Sequence, residues 1–153
     1  MKHLHFDVEN AGFYGAYWAC AGGSDCAVIA MIGDDPEDRL ARSAAKWLCG
    51  RGVNVLTMSP AKKDYGHHNY PLERVETAIS WLKANGNHKI GIAGASTTGT
   101  LALTAAAMFP DITLTIAMTP SDFVWQGFLQ GKRDGCKEWR SEEHTSELQS
   151  RDS

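Results

Sequence analysis

The residues most able to do chemistry in this chain sit in the stretch GIAGASTTG, Gly91 to Gly99, where Ser96 ends an apolar run and small residues surround it. A serine hydroxyl is a weak nucleophile unless its surroundings activate it. A sharp turn between a strand and a helix supplies part of that activation. It lifts the hydroxyl above the sheet edge and sets the amides and positive dipole of the helix N-terminus beside a developing oxyanion. Ser96, with Gly94 two residues before it, is therefore the candidate nucleophile. The N–H of Thr97 is the expected first oxyanion donor. The second is expected from the loop after the third strand, IGDD, at the backbone of Asp34 or Asp35. One residue departs from the G-x-S-x-G pattern: Thr98 stands two places after the serine and glycine comes only at Gly99, which puts a β-branched side chain in a crowded turn. Thr97 as nucleophile would restore glycine two places on but would put Ala95 two places before, so it ranks below Ser96. The plainer alternative is a tight strand-to-helix junction in which Ser96 only caps the helix.

A nucleophile needs a base within hydrogen-bond reach. His67 and His68, in the polar loop AKKDYGHHNY after the fourth strand, fall on the same sheet edge as Ser96 and are candidates for the edge of the site, against the plainer reading of a solvated loop. Asp122, in TPSDF after the sixth strand, could be the acid of a variant triad or a helix cap, and Phe123, Trp125 and Phe128 beyond it could line an acyl pocket. His3, His5 and His88 lie in or before strands and read as structural or exposed, and His144 belongs to the C-terminal tail. Cys20, Cys26, Cys49 and Cys136 form no C-x-x-C pair and have no zinc-like histidine spacing, so they read as reduced core thiols. No metal and no cofactor is expected.

The elements that would position these residues follow from hydrophobic period. HLHFDV and FYGAYWAC read as two N-terminal strands separated by the turn ENAG, CAVIAMIG as a strand buried on both faces, VNVLTMSP as the next buried strand, and KIGIAGAS and ITLTIAM as further strands. Between them, DDPEDRLARSAAKWLCGRG has helix grammar, with Asp34 or Asp35 as N-cap and Leu40, Ala44, Trp47 and Leu48 as its apolar side. PLERVETAISWLKANG places Leu72, Val75, Ile79 and Leu82 along one stripe, and TTGTLALTAAAMFP is a helix stopped by Pro110. Strands alternating with helices predict one α/β domain built on a mostly parallel, doubly wound sheet. The 153 residues carry a formal charge of −3, of which the last fourteen supply −2, so the body has no electrostatic footprint for nucleic acid or an anionic membrane. No leader and no membrane span is read, and a cytoplasmic setting is expected.

From about Ala27 to Gln130 the sequence resembles α/β-hydrolases of the group that includes the C-terminal domain of acyl-CoA thioesterases and bile-acid-CoA:amino acid N-acyltransferases, with their dienelactone-hydrolase-like relatives. The segments PLERVETAISWLKANGNHKIGIAGAS and TTGTLALTAAAMFPDITLTIAMTPSDF carry the resemblance. It implies the α/β-hydrolase fold, with Ser96 taking an acyl group from a small-molecule ester or thioester. It also implies an acid after a seventh strand and a histidine after an eighth. Neither strand is expected here, so the sequence predicts a partial domain over residues 1–139, truncated after about six strands, with little turnover and an open sixth strand prone to aggregate. Residues 140–153 begin RSEEHTSELQS, whose codons can spell a short-read sequencing adapter, and are set apart as an adapter-derived tail. Two other classes compete. A nucleotide-binding, Rossmann-like domain also uses a glycine-rich strand-to-helix turn, but GIAGASTTG fits neither G-x-G-x-x-G nor the P-loop and follows the fifth strand rather than the first. A binding module without chemistry is the third.

Overall fold

The structure, a computed structural model, describes residues 2–59 and 70–121. The predicted His67, His68 and Asp122, with Cys136 and the tail 140–153, lie outside the described residues. Ten elements follow in order: β1 (His3–Phe6), α1 (Val8–Ala11), β2 (Gly15–Trp18), β3 (Cys26–Met31), α2 (Arg39–Cys49), β4 (Asn54–Met58), α3 (Glu73–Ala84), β5 (Lys89–Ala95), α4 (Thr97–Met108) and β6 (Ile112–Met118). All six expected strands form. The turn read between the first two holds the single helical turn α1, capped by the Asp7 side chain on the Asn10 amide and ended by Gly12.

The strands make one sheet in the order β1-β2-β4-β3-β5-β6. β1 and β2 are antiparallel to their neighbours, whereas β4, β3, β5 and β6 run parallel. β3, β4 and β5 are buried on both faces, as strands inside a parallel sheet are, whereas β6 buries only Ile112. Strand order reverses at β3: the chain steps outward to β4, then crosses back to β5 on the other side. The C-terminal ends of β3 and β5 therefore diverge after the pair Met31↔Gly94, and such a switch point opens a crevice above the sheet.

Each sheet face has its own core. Ala27, Ile29, Met31, Leu56, Ile90 and Ile92 face Val75, Ala78, Ile79 and Leu82 of α3 and Ala102 and Ala105 of α4. Each aliphatic side chain fully buried there contributes roughly 1.5–3 kcal/mol. On the other face Ala16, Trp18, Ala30 and Val55 meet Ala45 of α2. The expected apolar side of α2 is corrected: its buried residues are Ala41 and Ala45, while Leu40 and Trp47 are 55% and 58% exposed. Small residues let this helix lie close against the strands, and Trp47 instead stacks under the Arg51 guanidinium at 3.8 Å. Its N-cap is Asp38, whose side chain accepts from the Ala41 amide at 2.8 Å, rather than Asp34 or Asp35. Among the described residues no helix is long and apolar enough to cross a membrane.

β6 closes one edge of the sheet among the described residues. Leu114, Ile116 and Met118 lie beside Gly91, Ala93 and Ala95 on the face that α2 covers over β3 and β4, and they are 56%, 45% and 44% exposed. An apolar edge of this kind favours association. Replacing Ile116 by Lys is expected to lower concentration-dependent self-association in light scattering while leaving the circular dichroism spectrum unchanged.

Candidate active site

The elbow is built by backbone contact. A Cβ at Gly94 would sit 2.1 Å from the Thr98 carbonyl oxygen and 2.9 Å from the Gly99 nitrogen, and a Cβ at Gly99 would sit 2.9 Å from Met118 O. Only glycine lets the end of β5, the first turn of α4 and the end of β6 come this close. The turn between them is correspondingly sharp: Ser96 has φ 55° and ψ −121°, a conformation that costs a non-glycine residue about 1–3 kcal/mol. Its N–H donates to Met118 O at 2.9 Å and its carbonyl accepts from the Thr100 amide at 3.2 Å. The side chain makes no capping bond to α4 and the residue is exposed, so the helix-cap reading of Ser96 fails.

Ser96 opens on a cavity of about 250 Å³ in the crevice at the strand-order reversal. Ile32, Gly33 and Asp34 wall one side, Leu40 of α2 another, and Ser96, Thr97 and Thr98 the third. A wider hollow of about 600 Å³ lies along Lys2, His3, Leu4, Tyr17 and Ala19 at the β1–β2 edge. It has no residue on a strained turn, whereas the smaller cavity has Ser96 at positive φ on its wall. No histidine among the described residues lines it. His3 and His5 bind the two carboxylate oxygens of Glu37, the latter at 2.9 Å, and the His88 amide bonds Asp25 O just before β5, at the far end of that strand from Ser96. His3 and His5 thus brace Glu37, while His88 is exposed.

The loop from Ile32 to Asp38 has little regular structure and is held by side chains from its neighbours. Ser59 Oγ donates to Asp34 O at 2.8 Å and the Tyr14 hydroxyl donates to Asp35 Oδ2 at 2.9 Å. The buried Thr57 hydroxyl sits 2.6 Å from Pro36 O and in turn accepts from Trp18 Nε1 at 2.9 Å. Arg42 Nε donates to Glu37 O at 2.6 Å. Asp38 Oδ2 accepts the N–H groups of Asp34 and Asp35, at 2.8 and 3.3 Å. Burial works against the Asp38 charge, but the amides of Ala41, Asp34, Asp35 and Leu40 outweigh it and hold the carboxyl below the usual range. The two residues expected to supply the second oxyanion donor thus direct their amides at Asp38 in this conformation. Asp38, Thr57 and Tyr14 were missed from the sequence; three aspartates within five residues can each cap, and only the backbone path decides which does.

Thr98, the departure from the motif, is buried. Its hydroxyl oxygen accepts the Ala95 N–H at 2.9 Å and lies 2.6 Å from Met31 O and 2.8 Å from Ala95 O. The β-branched side chain therefore fits the crowded elbow and bonds across it.

With this geometry in hand, solved structures supply a comparison. An esterase of Pyrococcus furiosus superposes with a TM-score of 0.60 at 21% identity, covering 78% of this chain and 50% of that one. The α/β hydrolase GrgF of a Penicillium species gives 0.61 at 22%, covering 78% and 45%, and Est1E of Butyrivibrio proteoclasticus gives 0.59 at 20%, covering 78% and 51%. The described residues have the α/β-hydrolase fold. The chain spans about half the length of these structures. No family model and no curated protein sequence matches it.

Two measurements check the site's construction. Gly94→Ala forces a Cβ against backbone that cannot move aside, so it is expected to lower stability in urea denaturation by about 2–3 kcal/mol. Burial first, then the hydrogen bond to Asp35 and the charges of Asp35 and Glu37, push the Tyr14 phenol up to about 12 from 10.0. The folded state thus favours the neutral phenol, and this contribution is present below pH 10 and lost as the pH rises toward 12. An absorbance titration is expected to show one tyrosine ionising late, and Asp35→Asn to bring it back toward its ordinary value.

Proposed function

We propose that Ser96 is the nucleophile of an acyl-transfer site that acts on a small-molecule ester or acyl thioester. The observation that carries this reading is Ser96 itself: a non-glycine residue at φ 55°, exposed over a cavity at a strand-order reversal and not used as a helix cap. Strain at such a position is kept only where the surroundings enforce it, and here they do. Support comes from the neighbours, one of which is named an esterase and another an α/β hydrolase, with a further structure of Est1E holding ferulic acid.

In this reading Ser96 Oγ attacks the carbonyl carbon, its proton passes to a base, and the carbonyl oxygen takes the negative charge. Thr97, first in α4, offers its backbone N–H at the positive end of the helix dipole. Asp34 or Asp35 serves as second donor once its amide is released by Asp38, so the loop shifts as the oxyanion forms. Collapse of the tetrahedral adduct expels the alkoxide or thiolate and leaves an acyl-serine, which water or an amine then resolves. An acyl-CoA-like thioester is the finer substrate class we propose, from the resemblance of Ala27–Gln130. His67 and His68, on the segment after β4, and Asp122 after β6 are the site-edge candidates within this chain. The acid and histidine of a full triad belong to strands beyond the six described, so we assign residues 1–139 to part of a hydrolase domain, residues 140–153 to an adapter-derived tail, and low turnover to this chain, in a cytoplasmic setting. The nucleotide-binding alternative loses ground because Gly94 and Gly99 are filled by packing against Thr98 and Met118 rather than opened toward a phosphate.

A fluorophosphonate probe followed by intact-mass and peptide analysis tests the assignment, because it reports covalent attack by one serine. Slow labelling at Ser96, abolished in Ser96→Ala, is the expected result. Labelling of the Ser96→Ala protein at the wild-type rate, or no adduct at Ser96 after prolonged exposure, overturns it.

A further inference from the structure

The Thr98 hydroxyl joins two elements that the proposed chemistry needs at a fixed separation. Met31 O, 2.6 Å from Thr98 Oγ1, is the last carbonyl of β3, and Ile32, Gly33 and Asp34 follow it directly into the wall of the cavity. Ala95, whose N–H reaches the same oxygen at 2.9 Å, is the last residue of β5 before Ser96. β3 and β5 diverge here, their last paired residues being Met31 and Gly94. A carbonyl at the end of a diverging parallel pair loses its ladder partner, and a buried one must find another. The Thr98 side chain, 3% exposed, fills that gap, and the missing Cβ of Gly94 leaves the room for the Thr98 backbone to approach.

We infer that Thr98 is a positioning residue of this site: its hydroxyl ties the Ser96 turn to the end of β3, and so holds Ser96 at positive φ and sets its distance from the loop that carries the second oxyanion donor. The inference gives the reading of Ser96 as nucleophile a mechanical basis and rests on it for its functional meaning, though the tie itself is a property of the fold. Glycine at the same place could close the turn but could not make this bond. The methyl group is secondary: serine at position 98 keeps the acceptor and the donor, valine keeps the shape and loses both.

The test uses the whole chain and needs no turnover. Uniformly 15N,13C-labelled wild type, Thr98→Ser and Thr98→Val are compared by amide hydrogen exchange at Ala95 and by the intraresidue HN–Hα NOE of Ser96, which is strong when φ is positive. Wild type and Thr98→Ser are expected to share a slow Ala95 amide and a strong Ser96 NOE. In Thr98→Val the Ala95 amide is expected to exchange at least about tenfold faster and the Ser96 NOE to weaken as φ turns negative, with amides of α3 unchanged. A Thr98→Val protein with an unmoved Ser96 and a protected Ala95 overturns the tie. So does a Thr98→Ser protein that has lost either signal, an arm that decides the matter even where Thr98→Val fails to fold. Failure of Ser96 to take a fluorophosphonate leaves these signals unaffected, so the two ideas fail separately.

Discussion

No side chain fits between the end of β5 and the first turn of α4. That contact, made possible by Gly94 lying against the Thr98 and Gly99 backbone, governs the half of the molecule that carries Ser96. With strand and helix this close the connecting residue has little room for an ordinary helical or extended conformation, and Ser96, tied through Thr98 to the end of β3, stands at φ 55°. The forced conformation turns the Ser96 amide toward Met118 O and leaves its hydroxyl exposed over the cavity. Strain of about 1–3 kcal/mol is offset by several hydrogen bonds, each contributing roughly 0.5–1.5 kcal/mol net, from Ser96 N–H, Ala95 N–H and the Thr98 hydroxyl. A single bond of that kind could not hold the turn; the set can.

The opposite wall of the cavity is constructed on a different principle. The loop from Ile32 to Asp38 gains little from backbone ladders and is held by side chains reaching in from β1, the residue before β2, β4 and α2: His3 and His5 on Glu37, Tyr14 on Asp35, Thr57 on Pro36, Arg42 on Glu37. Asp38 has two duties there, capping α2 through Oδ1 and gathering the Asp34 and Asp35 amides through Oδ2. Charge-assisted bonds of this kind contribute about 1.5–3 kcal/mol each, so an oxyanion that takes an amide from Asp38 must interact at least as strongly. A developing alkoxide does; a neutral ester carbonyl does not. Under the proposed reading of Ser96 as nucleophile, the competition favours the transition state over the bound substrate, which is the direction that accelerates a reaction.

How much of this the sequence discloses depends on whether a feature is carried by side-chain character or by backbone path. CAVIAMIG is a continuous apolar run, VNVLTMSP, KIGIAGAS and ITLTIAM are predominantly apolar or small, and each is a strand close to its expected bounds. The position of Ser96 was legible because glycine before it and a small-residue helix after it leave few alternatives. The buried side of α2 was not, because Leu40, Ala44, Trp47 and Leu48 outweigh Ala41 and Ala45 in hydropathy, while the sheet accepts only the small pair at close range. Thr98 read as a defect in the motif for the same reason: its bulk is visible in the sequence, but the Met31 carbonyl that gives its hydroxyl a use is brought within reach only by the backbone path at the ends of β3 and β5. Nor could Asp38 be separated from Asp34 and Asp35 by residue type.

The two sheet faces serve the site unequally. On the α3 and α4 side β5 is sealed, with Ile90 and Ile92 each 1% exposed, so the strand that ends in Ser96 is anchored by a complete core. On the other side α2 packs over β3 and β4, and Leu114, Ile116 and Met118 of β6 remain exposed. The elbow is nevertheless tied mainly inward: Ala95 and Met31 meet through Thr98 on the β3 side, whereas β6 reaches the turn through Met118 O. The strained serine is therefore over-determined by the sealed core of β3, β5 and α4, and events on the exposed face of β6 reach it through one end of one strand. That asymmetry lets the nucleophile's geometry be set within the described residues while the acid and base of the proposed chemistry are supplied from outside them.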